Sequence, residues 1–579
     1  MRDGVFKEAV RKLNLLQPEF VISVGDLING YYDNEEQINR EWEDFNKIID
    51  ALEMKFFYVA GNHDTWSPFS SEIWEKYFGL RYYHFLYRDV LFLILHSEDG
   101  SPASVGEEQI QYLAQTLAEN RDVRWTFIFI HQPLWAYDDG DRDTGWEKVE
   151  PLIKDRKHTV FAGHLHEYTQ YERNNSRYYQ LATTGGGSGL RGPSHGQFDQ
   201  IAWITMTETG PRLANLDLDG IYDDDVRTEA MAETSLKLKH SFEVEIDPIY
   251  RVALEQNESV ETTLRIKNKA DIPMRVNGHF KVHEFLQADP YTINTELAPL
   301  SEQEIKIKIK FLKRFEILDA LMMPMSINII FSPEGFPGEL IYEETVMAAI
   351  DIFPIVPEAP MAVSVDGDLE EWDDLPFTMS NPSQFYEDRT AWTGPEDASL
   401  KFGFSQDEDF LYMAFDVRDD SLISQAGKIE TTSIQGQRGL RLQDHLGLII
   451  DARPKTERQL KITSMSEKRK NFLMLRVDPK PFEETIAHHF GRLPEGVYFP
   501  GVKTEKGYAV EAAIPHTVLD AYYGGEWENL RFNLIKFDVD KLTGSTVYLW
   551  WRPSWATHSS YKNSGTFLRK QADNWQPND

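Results

Sequence analysis

The stretch Gly61-Asn62-His63-Asp64 decides how this chain is read, and it directly follows the apolar run Phe56-Phe57-Tyr58-Val59-Ala60. A short, continuous apolar run is typical of a buried parallel strand. An amide, an imidazole and a carboxylate in consecutive positions after such a strand are not needed for packing. The pattern therefore predicts a functional site at the end of a buried strand.

Three more apolar runs in the first third of the chain end in polar side chains of the same kinds. They occupy residues 21–26, 126–131 and 159–166, and end in Asp26, in His131, and in Gly163-His164-Leu165-His166. Between these runs, helical and strand-like patterns alternate up to residue 162, and strand-like patterns continue to about residue 218. This alternation predicts a layered α/β domain over residues 1–222. In such a sheet, ligands collect at the carboxyl ends of the parallel strands.

The side chains at these strand ends have the chemistry of a metal site. Asp26, Asn62, His131 and His164 offer mixed oxygen and nitrogen donors, which suit Mn, Fe, Zn or Co rather than Ca. His166 lies two residues beyond His164, and on extended backbone both side chains point the same way and reach one cluster. A carboxylate such as Asp26 is able to bridge two ions about 3.5–4 Å apart.

Composition excludes several classes of protein. The 579 residues favour about three domains, and 60 basic against 94 acidic residues give a formal charge of −34. So acidic a chain is a poor partner for nucleic acid or an anionic membrane. The chain has no cysteine, so disulfides and thiolate metal sites are ruled out. The sequence contains neither an apolar run long enough for a membrane span nor the apolar core of a signal peptide at residues 1–8.

In their order along the chain, the motifs Gly25-Asp26-Leu27-Ile28-Asn29, Gly61-Asn62-His63-Asp64, His131 and Gly163-His164-Leu165-His166 resemble the calcineurin-like metallophosphoesterases. The resemblance covers about residues 1–220 and implies hydrolysis of a phosphomonoester or phosphodiester with two divalent ions. It implies that Asp26 bridges both ions and that His166 belongs to the first metal site. The second site is completed by Asn62, His131 and His164.

The resemblance also implies roles for the two residues that follow Asn62. His63 contacts the phosphate or the leaving group, as a cationic stabiliser or general acid. Asp64 orients His63, as carboxylates beside imidazoles commonly do.

One motif of that family is missing. The family opens with a strand ending in Asp-x-His, which supplies two ligands of the first metal and is expected before the helical pattern at 5–17. The first site then keeps only Asp26 and His166. A truncated start is the favoured explanation, and a naturally degenerate, one-metal or inactive domain is the other. Location is open, although truncation favours a secreted, periplasmic or cell-surface protein.

A glycine-rich segment follows the last of the four motifs. Residues 185–195 include five glycines or serines in a row and end in Arg191 and His195. These two side chains are candidates for contact with a substrate phosphate at the rim of the site. A flexible turn without such a role is the alternative.

The rest of the chain reads as two all-β domains. An acidic linker is predicted from residue 223 to about 234, an immunoglobulin-like β-sandwich spacer without helices at 235–353, and a proline-rich linker at 352–360. Residues 362–579 resemble the family 9 carbohydrate-binding modules in the motifs at 365–372, 410–420, 444–451 and 549–555. That resemblance implies a β-sandwich that binds a polysaccharide or glycan. Trp392 and Trp555 are the candidate platforms for sugar rings.

The leading functional hypothesis is a metal-dependent phosphoesterase with a carbohydrate-binding appendage. One alternative is a polysaccharide-binding protein with a degenerate catalytic domain. A weaker one is an accessory protein of glycan degradation, held back because no paired carboxylates form a credible glycosidase site.

Overall fold

The computed structural model describes most of the chain. Outside the description lie residues 1, 3, 32–33, 138–142, 218–219, 248, 251–258, 284, 313–321, 352–353, 362, 381–391, 423–443, 455–471, 479–485, 490–492, 540–545, 553–564 and 571–579.

The chain divides into two compact units. The N-terminal unit contains residues 1–241, 272–274 and 330–342, and the C-terminal unit contains the remaining residues to 579. The boundaries proposed above, 1–222, 235–353 and 362–579, stay predictions. Among the described residues, no helix combines the length and the apolar character that crossing a membrane requires.

The N-terminal unit alternates helices with short strands, as the sequence predicts. Its elements are α1 (Val5–Leu16), β1 (Phe20–Ile22), α2 (Glu35–Ile49), β2 (Lys55–Phe57), α3 (Pro68–Phe78), β3 (Tyr83–Tyr87), β4 (Val90–Ile94), α4 (Glu107–Glu119), β5 (Trp125–Phe129), α5 (Trp146–Ile153), β6 (His158–Ala162), β7 (Thr169–Arg173), β8 (Ser176–Gln180), β9 (Gln200–Met206), β10 (Pro211–Asp217), β11 (Ile221–Asp223) and α6 (Glu229–Lys239).

Parallel pairing brings the carboxyl ends of several strands to a common edge. The largest sheet of this unit has the order β3-β4-β5-β6-β8-β7. Within it β4, β5, β6 and β8 run parallel to one another. Strands β1 and β2 form a separate parallel pair. The loops that follow β1, β2, β5 and β6 carry the four motifs of the sequence.

Both faces of the large sheet are covered, which explains its continuous apolar runs. Successive residues of β4 point to opposite sides. Leu91 and Leu93 belong to the core shared with α4 and α5. Phe92 and Ile94 belong to the opposite core, which includes residues of β9 and β10. This packing gives the strand ends a rigid base.

The predicted acidic linker at 223–234 is wrong in part, and so is the expectation of no helix beyond residue 235. Helix α6 occupies Glu229–Lys239, across the end of the proposed linker. The side chain of Thr228 accepts a hydrogen bond from the Met231 backbone N–H and so caps the helix. Only Ser235 and Leu238 of this helix are buried, so its apolar period is too weak to read from sequence.

All-β structure follows, which confirms the predicted fold class of an α/β layered domain followed by β-sheets. The strands are β12 (Phe242–Ile246), β13 (Ile249–Tyr250), β14 (Ser259–Asn268), β15 (Met274–Phe280), β16 (Leu286–Asp289), β17 (Thr292–Leu297), β18 (Ser301–Phe311), β19 (Met322–Phe331), β20 (Leu340–Asp351), β21 (Phe377–Met379), β22 (Ala398–Gln406), β23 (Phe410–Asp419), β24 (His445–Asp451), β25 (Leu473–Asp478), β26 (Ile486–His489), β27 (Gly501–Thr504), β28 (Gly507–Pro515), β29 (Asn529–Val539), β30 (Thr546–Trp550) and β31 (Gly565–Leu568), with one helix, α7 (His516–Tyr523), between β28 and β29.

These strands form four sheets. Two of them have the orders β12-β14-β18-β16 and β13-β20-β19-β15-β17. The other two, from the segment that resembles a carbohydrate-binding module, have the orders β21-β22-β23-β28-β27 and β26-β25-β24-β29-β30, with β31 also paired to β29. The alternation seen in the sequence is borne out most clearly in β15, where buried and exposed residues alternate at every position.

One cluster in the C-terminal unit is fully ionic and fully buried. The Lys536 ammonium on β29 lies 2.9 Å from Asp419 Oδ2, contacts Asp538 Oδ1, and lies 4.0 Å from Asp444 Oδ1. The lysine side chain has no exposed surface. Burial raises the pKa of Asp538 to about 6 in spite of the ammonium beside it. Three carboxylates in the interior therefore share one ammonium, whose single charge balances only one of them.

Candidate metal centre

Donor atoms from four strand-end loops meet at one ring nitrogen of His131. Its Nε2 lies 3.1 Å from Asp26 Oδ2, 3.0 Å from Asn62 Oδ1 and 3.1 Å from His164 Nδ1. His131 is buried, and the other three are half-buried. The structure thus brings together the four residues predicted for the second metal site.

The protonation state of His131 tests whether a cation fits among these atoms. Its Nδ1 lies 2.7 Å from the backbone carbonyl oxygen of Val24, which only accepts, so Nδ1 carries the hydrogen. In the neutral ring Nε2 then presents a lone pair. Asp26 and Asn62 present oxygen lone pairs to the same point, and a single proton there serves only one of them. A divalent cation satisfies all the donors at once, so the residues fit a metal ion of the Mn, Fe or Zn type.

The electrostatics show that this point attracts positive charge. Burial lowers the pKa of His131, but the Asp26 carboxylate outweighs it and raises that pKa, so a proton on Nε2 takes the place of a cation. Burial alone raises the pKa of Asp26, but His131 and His63 outweigh it and hold the pKa well below its usual range. Burial, with His131 nearby, lowers the pKa of His164 to about 4. At neutral pH the site therefore contains a carboxylate and a neutral imidazole, both ready to bind a cation.

Two glycines bring the loops to contact distance. A Cβ on Gly25, whose φ is +93°, lies only 2.6 Å from His131 Nδ1. A Cβ on Gly61 lies 2.2 Å from Asp26 Oδ1 and 2.4 Å from its backbone nitrogen. All three distances are too short for any side chain, so the donor geometry requires glycine at both positions.

We expect Gly61→Ala to lower metal-dependent hydrolysis by about 10²-fold, because it displaces the Asp26 carboxylate by a large fraction of an ångström. Gly220→Ala is the matched control, since no atom lies within 4 Å of its added Cβ. The measurement is Co²⁺ titration and hydrolysis by both variants, with thermal unfolding recorded for each. Gly61→Ala protein with wild-type Co²⁺ affinity and rate contradicts the proposed role of the loop contact.

Asp64 does not orient His63, contrary to the prediction. Its buried carboxylate accepts hydrogen bonds from backbone N–H groups at 2.8–3.3 Å, donated by Gly61, Asp26, Leu27 and Ile28. It therefore fixes the loop that carries Asp26. Burial and the nearby Asp26 charge raise the pKa of Asp64, although the hydrogen bonds from these N–H groups act to lower it.

The group that faces the His63 ring is instead a backbone carbonyl. His63 Nδ1 lies 2.5 Å from the carbonyl oxygen of Asn29, which places the hydrogen on Nδ1. Its Nε2 faces the site, 3.8 Å from Asp26 Oδ2. About a third of the His63 side chain is exposed. His63 is thus accessible to a substrate and still held in one orientation.

His166 is not a member of the compact donor group, although it is close enough to His164 to lower the pKa of that ring. The three charged or imidazole donors that lie within 4.8 Å of one another there are Asp26, His131 and His164. The expectation of extended backbone at the two histidines is wrong, because φ is +72° at His164 and +56° at His166. A Cβ on Gly187 lies 4.0 Å from His166 Nδ1, so the glycine run borders this histidine. Its assignment to the first metal site stays a prediction.

The two rim candidates differ in their surroundings. His195 is buried, and its Nε2 accepts a hydrogen bond from the Ile341 backbone N–H at 3.0 Å. Burial lowers its pKa to about 4. His195 therefore has a packing role, and its predicted contact with phosphate is not supported. Arg191 is partly exposed and donates to Gln197 Oε1 at 2.8 Å, so its substrate contact stays a prediction.

The two sugar-binding candidates stay predictions as well. The half-buried Trp392 indole donates to the carbonyl oxygen of Ala398 at 3.0 Å. Trp555 lies outside the described residues.

Sequence reasoning missed three contributors to the site. They are the carbonyl groups of Val24 and Asn29, and the side chain of Tyr31, whose hydroxyl accepts a hydrogen bond from Asn62 Nδ2. Every residue has a backbone carbonyl group, so residue type does not show which carbonyl groups face a site. Tyr31 had a weak signal, namely an aromatic residue after glycine in the loop that begins with Asp26.

Comparison with known proteins agrees with the motifs. Residues 2–168 match the family model described as calcineurin-like phosphoesterase. This confirms the resemblance read from residues 25–166. No curated protein sequence matches the chain significantly.

Solved structures of two kinds show distant likenesses to the chain. A family 9 carbohydrate-binding module from Caldicellulosiruptor kristjanssonii, in complex with cellotriose, is 15% identical at a TM-score of 0.27, covering 38% of this chain and 95% of that chain. A dimetal phosphatase from Danio rerio is 15% identical at a TM-score of 0.27, covering 38% and 83%. A purple acid phosphatase from yellow lupin is 16% identical at a TM-score of 0.29, covering 38% and 48%.

Proposed function

We propose, on the premise that residues 2–168 form a calcineurin-like phosphoesterase domain, that this protein is a metal-dependent hydrolase of phosphomonoesters or phosphodiesters. The observation that carries the proposal is the meeting of three donors from different loops within 3.1 Å of His131 Nε2. Buried lone pairs that face one another are costly unless a cation lies between them.

Four residues would hold one ion, namely Asp26, Asn62, His131 and His164. Asp26 and His166 would contribute to a second ion, as the family resemblance implies. When bound, divalent ions supply positive charge to phosphate oxygens and lower the pKa of water toward neutrality. Mn, Fe and Zn all suit this donor set.

His63 is the residue proposed to act on the leaving group. Asn29 holds the hydrogen of the neutral ring on Nδ1, so Nε2 is the atom that turns toward the substrate. A proton on Nε2 would neutralise the departing oxygen, and the imidazolium would also attract the phosphate. Asp64 supports this work indirectly, since it fixes the loop of Asp26 through backbone N–H groups.

We also propose that residues 362–579 attach the enzyme to a polysaccharide or glycan. The support is the order of motifs in the sequence and the two antiparallel sheets that this segment forms. Trp392 and Trp555 remain the candidate contacts. The substrate would then be a phosphoester found near or within a glycan.

The test uses the full chain, purified and assayed with and without Mn²⁺ on p-nitrophenyl phosphate and bis(p-nitrophenyl) phosphate. We expect bound metal in elemental analysis, and hydrolysis that a chelator abolishes and Mn²⁺ restores. Protein that retains no metal and hydrolyses neither ester would instead favour the degenerate, glycan-binding alternative. Affinity electrophoresis in a panel of polysaccharides tests the attachment, and unretarded migration in every gel contradicts it.

A further inference from the structure

We propose that Tyr31 is a positioning residue of the metal centre, which holds the Asn62 amide with its oxygen toward His131 and braces the His63 ring. The inference rests on the proposed function, because it assigns Tyr31 to the same site. Three independent features carry it: a hydrogen bond, a ring contact and an unusual backbone conformation.

The hydrogen bond concerns the orientation of an amide. Asn62 Oδ1 lies 3.0 Å from His131 Nε2, within the donor group. On its other side, Asn62 Nδ2 donates to the Tyr31 hydroxyl. Only the oxygen of an amide binds a cation, and the NH₂ group needs an acceptor elsewhere. Tyr31 supplies that acceptor, so the amide NH₂ group is satisfied while its oxygen faces the donor group.

The ring contact concerns His63. The Tyr31 ring centroid lies 4.3 Å from that of His63, with the planes at 66°. On its other side, Tyr31 packs against Trp66 at 5.7 Å. With the Asn29 carbonyl at Nδ1, the imidazole is restrained both by a hydrogen bond and by an aromatic neighbour. One short loop, residues 29–31, therefore positions two consecutive functional side chains.

The backbone of this loop is strained where Tyr31 is presented. Gly30 and Tyr31 have φ of +58° and +63°. A bulky residue in the left-handed region is unusual and strained. A Cβ on Gly30 lies 1.9 Å from the His63 carbonyl oxygen, and Gly30 N–H donates to Glu41 Oε2 at 3.0 Å. Strain that the surroundings enforce is characteristic of functional loops.

Tyr31→Phe removes the hydroxyl and keeps the ring. We expect it to weaken Co²⁺ binding about tenfold, as loss of a group that orients a metal ligand does, with little change in thermal unfolding. The readout is the visible absorption of bound Co²⁺ during titration. Tyr77→Phe is the matched control, because the exposed Tyr77 hydroxyl also bonds to an asparagine side chain, here as the donor to Asn39 Oδ1 at 3.1 Å. Its Co²⁺ affinity should equal that of the wild type.

Two further variants separate positioning from general structure. Asn62→Asp replaces the amide by a carboxylate with two equivalent oxygens, so Tyr31→Phe in that background should change Co²⁺ affinity twofold or less. Tyr31→Ala also removes the ring beside His63. We expect its kcat to fall more for an alkyl than for a p-nitrophenyl leaving group. An alkoxide is the more basic leaving group, so its departure depends more on a proton from His63.

Three results overturn the inference. Tyr31→Phe protein that binds Co²⁺ within twofold of the wild type excludes a positioning role while leaving the proposed function intact. If Tyr31→Phe lowers Co²⁺ affinity equally in the wild-type and the Asn62→Asp backgrounds, the tyrosine has only a structural role. A wild-type protein that binds no Co²⁺ overturns this inference and the proposed function together.

Discussion

His131→Ala is expected to lower Co²⁺ or Mn²⁺ affinity by more than about 100-fold and to abolish metal-dependent hydrolysis. Residues that merely orient a ligand cost about 10–100-fold when removed, and His131 is the ring on which the other donors converge. Without it, Asp26, Asn62 and His164 no longer share a common neighbour. Their lone pairs would then be left to water.

The control for this variant is His84→Ala. His84 is exposed on β3, and its Nδ1 lies 2.5 Å from the hydroxyl of Tyr112, away from the four strand-end loops. Metal content by elemental analysis and hydrolysis of an aryl phosphodiester are measured for both variants, with thermal unfolding as a check on folding. If His131→Ala protein retains its metal and its rate, the four-residue centre is wrong.

Lys536→Met is expected to destabilise the C-terminal unit by about 3–5 kcal/mol. Removing one partner of a buried ion pair leaves uncompensated charge in the interior, and here three carboxylates lose their shared ammonium. Methionine has nearly the volume of lysine, so lost packing contributes little. Hydrogen exchange of peptides from β29 reports the local free energy of opening.

Lys570→Met is the control for the loss of a lysine ion pair as such. Its Nζ lies 3.4 Å from Glu526 Oε1, but 71% of the side chain is exposed. We expect a change below about 0.5 kcal/mol, as for most surface substitutions. Equal effects of the two substitutions would show that burial of the cluster has no energetic weight.

The Lys536→Met effect should also depend on pH. In the wild type, the pKa of Asp538 is raised to about 6, above the value of about 3.9 for an unfolded aspartate. Folded Asp538 binds its proton more tightly than unfolded Asp538 does, and this contributes to the free energy of unfolding. The contribution is complete below about pH 4 and is lost as the pH rises through 6. Loss of the ammonium raises the pKa of Asp538 further, because the charge of Lys536 lowers it in the wild type. The destabilisation should therefore be larger at pH 8 than at pH 5.

The strands and the donor residues of the site were readable from sequence because both follow from local patterns. A buried parallel strand is a continuous apolar run, and a ligand is a polar residue at its end. For this reason the motifs at Asp26, Asn62, His131 and His164 pointed to one edge of the α/β domain. The structure brings those four side chains together.

What could not be predicted depends on backbone conformation and on distant contacts. The left-handed φ values of His164 and His166 cannot be predicted from residue type, because only a small fraction of histidines adopt them even though histidine is enriched in that region. Asp64 lies next to His63 in sequence, but its partners are backbone N–H groups of residues 26–28 and 61. Helix α6 was missed because its cap, Thr228, lies within an acidic stretch that resembled a linker.

Lys536 has a consequence for the conditions in which the C-terminal unit folds. The cation in its cluster belongs to the polypeptide, so it is made with the chain and is not drawn from the surroundings. A metal-poor medium cannot withhold it, and a chelator cannot extract it. The proposed metal centre at His131 would lack this independence, because an ion held there would exchange with the solution. Both clusters place a positive charge among acidic or lone-pair-bearing groups. At Lys536 the charge is part of the polypeptide, and at His131, in our proposal, it is an ion taken up from solution.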